Sequence, residues 1–424
     1  MGITIAGGDH SWQLEDEPRS DRIGLASAGL ERAWAKGWFD RPELEPGALL
    51  TAARRTARLD DFGIEDGWRD RLTRLCGALQ GEANLNALGH TIAYGQLVAA
   101  LAGRLRATAL WRRHPQIAQV PITAPIIVVG QMRSGSTRMQ RLLACDKRLT
   151  YTRFFESWNP VPRWPRLPLD DRRLRGWFAL RVAHGINPRF GVIHPVRAHQ
   201  ADEEIGLHNV ALYGAAFEAQ WRIPGFARAS ERMDREPIYA EFKRHLQTIR
   251  WLRRDRSDRP WILKLPQFSQ DLDAVLQTFP DARIVVLQRD AVRIVGSSAS
   301  LVHNQMTVQS DRVDRTWIGQ ECLRKVALRQ RRVTQARARH DGPSVDVAFS
   351  DMQADWRAQM RKVYAAMGMP LDREAERGME RFMRKRGHRK LRGHHYDIAD
   401  YDLTEEQIHR ALGSGVQDGV LAAA

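Results

Sequence analysis

The run Ile126-Ile127-Val128-Val129-Gly130-Gln131-Met132-Arg133-Ser134-Gly135-Ser136-Thr137 restricts the possible folds more than any other part of the chain. Its four β-branched residues read as a short buried parallel strand. A turn rich in Gly and Ser follows, and Arg138 to Leu143 opens a helix. Strand, Gly turn and helix in that order aim backbone N–H groups and a helix N-terminus at an anion. The spacing from Gly130 to Gly135 is that of a P-loop, but Ser136 stands where the lysine belongs and the positive charge lies inward, at Arg133. Such a loop can cradle an oxyanion group without reaching the β/γ-phosphates of a nucleotide. An ordinary strand-to-helix turn has the same spacing, so the loop alone does not decide function.

A second block bears on the same point. Trp261-Ile262-Leu263 reads as a strand ending at Lys264-Leu265-Pro266, followed by a helix with Leu272, Val275, Leu276 and Phe279 on one side. Arg283 to Gln288 reads as another buried strand, ending at Arg289-Asp290, with Ser297 on the next helix. Ligands of open α/β sheets bind beyond the carboxyl ends of the strands. Arg133, Lys264 and Arg289 all fall at such ends, so topology alone brings three cations and an anion loop to one rim. The expected fold is α/β: a P-loop-like parallel sheet flanked by helices over residues 121-424, with an all-helical extension over 1-120. Within the extension, Leu72, Leu75 and Leu79, then Leu97, Leu101 and Leu105, recur at helical spacing, with a break at Pro42 and Pro46. His90 there reads as a packed or solvent-facing residue and not a ligand.

Composition narrows the partners. The 424 residues carry a formal net charge of +16, which suits anionic ligands, nucleic acid or anionic lipid. The arginines are spread along the chain with no nucleic-acid motif, so nucleic acid is not expected. Cys76, Cys145 and Cys322 are too far apart for a metal motif or a disulfide framework and predict reduced thiols and a cytoplasmic protein. The first residues lack the pattern of a signal peptide or a myristoylation site. The longest apolar stretch, Leu85 to Leu101, is interrupted by Asn86, His90 and Gln96, so no stable membrane insertion is expected.

The remaining segments are less specific. Phe154 to Pro160 reads as irregular, pocket-shaping or surface loop. His194, His199, Asp202, Glu203 and Glu204 lie close together ahead of a helix, either as a polar cluster on the substrate side or as acids favoured by the helix dipole. No metal-ligand spacing is met there. Val345 to Phe349 reads as a strand and Ser350-Asp351-Met352-Gln353 as a capping box opening a helix to about Met367. The basic segment from Arg384 to Tyr396 has the glycines and donors of a loop that closes over a phosphate, or of an exposed charged loop. A last helix is expected from Asp402 to about Leu412.

At this point the residues resemble the bacterial branch of the sulfotransferases that use 3′-phosphoadenosine 5′-phosphosulfate (PAPS). Gly130 to Thr137 is similar to the family's 5′-phosphosulfate loop. Arg289 with Ser297, eight residues apart, is similar to its 3′-phosphate motif. Lys264-Leu265-Pro266 with Phe279-Pro280-Asp281-Ala282 is similar to its K-x-P…F-P-D-A segment, and the tail before Tyr396 to its C-terminal cofactor loop. The resemblance implies a PAPS site without metal, formed by Arg133, Ser134, Gly135, Ser136, Thr137, Arg138, Arg289, Ser297, Arg389, Lys390 and Arg392. It implies in-line transfer of the sulfuryl group to a hydroxyl of a small molecule (an alcohol, phenol, lipid or sugar), with Arg133 and Lys264 stabilising the leaving phosphate. The family's usual base, a histidine four residues after the lysine, is Phe268 here, which leaves His194, His199, Glu203 and Glu204 as candidates. Trp158, Trp164 and Trp177 suggest an apolar acceptor pocket. Two other readings stay open: a P-loop kinase, disfavoured by Ser136, and a non-catalytic nucleotide binder, favoured by Phe268.

Overall fold

The structure, a computed structural model, describes residues 21–164, 170–188, 196–255, 258–387 and 397–413. Five parallel strands form its centre in the order β2-β3-β1-β4-β5: β1 Ile126–Gly130, β2 Thr150–Tyr151, β3 Trp261–Lys264, β4 Arg283–Gln288 and β5 Ser344–Ala348. β1 is central, with Val128 opposite Lys264 of β3 and Gly130 opposite Leu287 of β4. Its residues are buried on both faces, as the β-branched run requires. Ile127 and Val129 pack with Tyr239, Phe242 and Leu246 on one side, and Ile126 and Val128 with Met139, Leu142 and Met360 on the other. Burying each such aliphatic side chain stabilises the fold by about 1.5–3 kcal/mol.

Four helices precede the sheet: α1 Asp21–Ala35, α2 Pro46–Ala57, α3 Trp68–Gly81 and α4 Ala87–Arg113. Their core is completed by Leu212, Phe217, Trp221 and Phe226, from much further along the chain. His90 is a packed residue, its Nε2 at 2.5 Å from the Pro42 carbonyl oxygen. Arg104 of α4 is buried and pairs with Glu241 at 2.7 Å and Asp66 at 3.1 Å. Removing one member of such a buried pair costs about 3–5 kcal/mol. At the start of α4 the Asn86 side chain accepts from Gly89 N–H at 2.7 Å, and Asn86 N–H bonds the Gln309 carbonyl at 3.0 Å. A Cβ on Gly89 would lie 2.1 Å from that carbonyl oxygen, so only glycine permits the approach. The helical extension thereby fixes the far end of the helix Ala291–Gln309, which carries Ser297 near its start.

Three local expectations are corrected. Phe349 is not the last residue of β5 but the first of a helix, Phe349–Ala354, so Ser350 is not a cap. The chain breaks at Asp355, whose side chain caps the next helix, Trp356–Ala366, by accepting from Arg357 and Ala358 N–H. Phe154–Trp158 forms a short helix, α6, after α5 Ser136–Leu143, because the buried Glu156 reaches back to the Arg153 N–H at 2.9 Å and is held by Arg253. No helix of the described residues is long and apolar enough to cross a membrane.

Candidate active site

The carboxyl ends of β1, β3, β4 and β5 open on one rim, and the site is built there. At the end of β1, Ser269 Oγ accepts from Gly130 N–H at 3.1 Å and donates to its carbonyl at 2.9 Å, satisfying the strand's last residue beyond the point where its pairing with β3 ends. Gly130 has no room for a side chain: a Cβ would meet Ser134 Oγ at 2.5 Å. The Ser134 N–H closes a turn onto the Gln131 carbonyl at 3.2 Å, and its hydroxyl is buried inside the loop. The helical bonds of α5 begin with Arg138 and Met139, both donating to the Gly135 carbonyl. The N–H groups of Ser136 and Thr137 therefore precede the ladder and point ahead of the helix, which favours an anion. Gly135 has φ of 95°, and a Cβ would come within 3.0 Å of the Phe349 ring.

Arg133 is the strained residue of the loop. Its φ of 68° lies in the left-handed region, where a residue with a side chain is held only by its surroundings. Its contacts include two hydrogen bonds: Arg133 Nε donates to Ser297 Oγ at 3.0 Å, and Arg289 Nη1 donates to the Arg133 carbonyl at 2.5 Å. Arg133, Ser297 and Arg289 are thus one unit, although they come from β1's loop, the helix Ala291–Gln309 and the end of β4. The Arg289 guanidinium lies 4.3 Å from the centre of the Phe349 ring and that of Arg138 5.2 Å from it. Arg138 also donates to Gln353. A cavity of about 410 Å³ opens beside this unit, lined among others by Gly130, Arg289, Asp290, Ser350 and Gln353.

Lys264, the last residue of β3, is buried, with its ammonium 3.2 Å from Thr137 Oγ1 and ion-paired with Glu203. Glu204 plays a different part. It is wholly buried and its Oε2 accepts from the Lys264 backbone N–H at 2.8 Å, which fixes the end of β3. Burial pushes its carboxyl up from the ordinary 4.5 to about 8, against the smaller opposing effect of the Lys264 backbone bond. The folded protein thus keeps this proton to about pH 8 and the unfolded chain only to about 4.5. The stability this contributes is full below the unfolded value and is lost as pH rises to about 8. Chemical denaturation of wild type and Glu204→Gln will therefore show the variant gaining on wild type across that window and not above it. A gap independent of pH would mean that the carboxyl is ionised in the fold.

The other expected residues are less central. His199 is exposed and stands edge-on to Phe155, 5.5 Å between ring centres, with no hydrogen bond to the Lys264 cluster. His194, Arg389, Lys390 and Arg392 lie outside the described residues. Trp164 and Trp177 are half exposed on the surface. Phe268 is fully buried among Tyr239, Phe242 and His208 and faces the core below the sheet. His208 beside it is neutral, because burial pushes its imidazole down to about 3. Sequence reasoning missed Phe349 and Ser269; the strand-end rule that found Lys264 and Arg289 applies equally to Phe349 at the end of β5. Among the described residues no group of His, Cys, Asp and Glu is placed to hold a metal ion.

No curated protein sequence matches the chain. The structure is similar to that of sulfotransferase STF1 from Mycobacterium tuberculosis H37Rv, at 29% identity and a TM-score of 0.77, covering 88% of this chain and 100% of that one. It shares its fold with sulfotransferase STF9 from Mycobacterium avium, at 23% identity and a TM-score of 0.77, covering 88% of this chain and 96% of that one. The sequence profile described as "Sulfotransferase family" matches residues 125–373, more than half of the chain and the whole of the strand rim. The chain belongs to the sulfotransferase family.

Proposed function

We propose that the protein transfers the sulfuryl group of PAPS to a hydroxyl of a small-molecule acceptor (an alcohol, phenol, lipid or sugar). The observation that carries this is the Arg133–Ser297–Arg289 unit, which sets two guanidinium groups and a hydroxyl beside an anion loop that lacks the P-loop lysine. A donor with a second phosphate on the ribose uses such a unit, and ATP does not. The loop fits the 5′ end of that donor through the Ser136 and Thr137 N–H groups, and the adjoining cavity has room for the rest. PAPS supplies a sulfuryl group on a phosphate leaving group. Lys264 Nζ, beside Thr137, brings positive charge to the side of the loop where the leaving phosphate gains negative charge.

We assign the base to Glu203. Its carboxylate is ion-paired with Lys264 and retains some exposure, whereas Glu204 is sealed and protonated. Glu203 can take the acceptor proton while Lys264 turns its ammonium toward the donor. A histidine at position 268 would sit in the core, so Phe268 does not by itself argue for a dead site. We also propose a cytoplasmic location, which the free thiols of Cys76, Cys145 and Cys322 suit.

The test is transfer of labelled sulfuryl from PAPS to panels of phenols, aliphatic alcohols, glycolipids and sugars. Wild type is expected to label at least one class, and Glu203→Gln to lower kcat on it by about 10²–10⁴-fold with little change in donor affinity. Equal turnover by the variant would remove Glu203 from the mechanism, and no labelled class with intact donor binding would favour a non-catalytic binder.

A further inference from the structure

The helix α7, Asp171–Ile186, presents an apolar face to water. Leu174, Trp177, Phe178 and Val182 are 64%, 55%, 65% and 42% exposed. Their spacing of i, i+3, i+4 and i+8 puts them on one side of the helix. The opposite side is the packed one. A Cβ on Gly176 would lie 2.7 Å from Phe155 Cβ, and Leu180 is buried with Phe154, Val196 and Ala198. The outer stripe is therefore not a face turned out by poor packing: the helix is already seated, and four large apolar residues remain outside. A soluble surface rarely carries such a contiguous patch without a use for it.

The exposed charges of the helix itself are of one sign. Both acids at the start of the helix are engaged, Asp170 with Arg172 at 2.7 Å and Asp171 with Arg175 at 2.9 Å. The exposed charged residues of the helix are Arg173 and Arg181. The Arg181 guanidinium lies 5.3 Å from the Trp177 ring centre, and upstream Arg163 lies 5.0 Å from that of the half-exposed Trp164. Aromatic rings with arginines beside them suit the boundary between acyl chains and headgroups. A convex stripe with positive charges, on a chain of net charge +16, is complementary to a negative lipid surface.

We propose that α7 lays this face on an anionic lipid bilayer and holds the protein there as a peripheral protein, without crossing the membrane. This does not depend on sulfuryl transfer, and its test uses no donor. The full-length protein is sedimented with phosphatidylcholine vesicles, with and without phosphatidylglycerol, at low and raised salt. Wild type is expected to pellet with the anionic vesicles and to be released by salt. Trp177→Ser with Phe178→Ser should weaken that binding by about tenfold or more. Arg173→Gln with Arg181→Gln should weaken it on anionic vesicles, with thermal unfolding unchanged in both variants. Three results would overturn the proposal. One is no vesicle binding by wild type. Another is equal binding by the serine variant, which would place the contact on other basic surface. The third is a dimer in light scattering that the serine variant dissolves, which would show a second copy on this face.

Discussion

Lys264→Met is expected to lower kcat by about 10²–10³-fold while leaving the affinity for adenosine 3′,5′-bisphosphate within a fewfold of wild type. Methionine keeps most of the buried stem, so the end of β3 and its bond to Glu204 survive. What is lost is the ammonium at Thr137, which under the proposed mechanism stands where charge grows only as the sulfuryl group departs. A group that acts in the transition state lowers kcat and kcat/KM together. Because Lys264 and Glu203 form one ion pair, Lys264→Met with Glu203→Gln should cost far less than the product of the two single losses. Single-turnover kinetics on the four proteins reads this directly. Fully multiplicative losses would show that the two residues act separately.

Arg289→Ala has the largest expected effect on binding. A charge-assisted hydrogen bond contributes about 1.5–3 kcal/mol, which corresponds to a loss of about tenfold to a hundredfold in affinity for adenosine 3′,5′-bisphosphate. Arg289 also holds the carbonyl of the left-handed Arg133, so two mechanisms are in play. They separate with adenosine 5′-monophosphate, which lacks the 3′-phosphate. If Arg289 reads that phosphate, monophosphate affinity barely changes; if it mainly props the loop, both ligands lose equally. Ser297→Ala should resemble Arg289→Ala in direction with a smaller size, since a neutral hydroxyl is replaced.

The parts of this site visible in the sequence are those that depend on strand ends. Ile126 to Val129, Trp261 to Leu263 and Arg283 to Gln288 are runs that read as buried strands next to helices, and the residues just past each run fall on the rim. β2 was not legible, because two residues carry no periodicity. Phe349 extends the apolar pattern of β5 and reads as strand, yet the helix begins at it and sets its ring beneath Arg289 and Arg138. The adjacent acids Glu203 and Glu204 are equivalent in sequence; only the packing of the following helix, Ile205–Val210, buries one and leaves the other on Lys264. His199 looked as suitable as either, and the turn before Gln200 carries it to the surface against Phe155. The position of Phe268 in the core likewise depends on the short helix Pro266–Ser269, which turns Ser269 toward Gly130 and Phe268 away from the rim.

Under the proposed function the rim takes a nucleotide carrying phosphates on both the 3′ and 5′ positions. The most direct measurement is a calorimetric titration of the wild-type protein with adenosine 3′,5′-bisphosphate and, separately, with ATP. One-to-one binding of the bisphosphate, at least about a hundredfold tighter than ATP, is the result predicted from the Arg133–Ser297–Arg289 unit. Equal affinity for the two, or tighter binding of ATP, would contradict it.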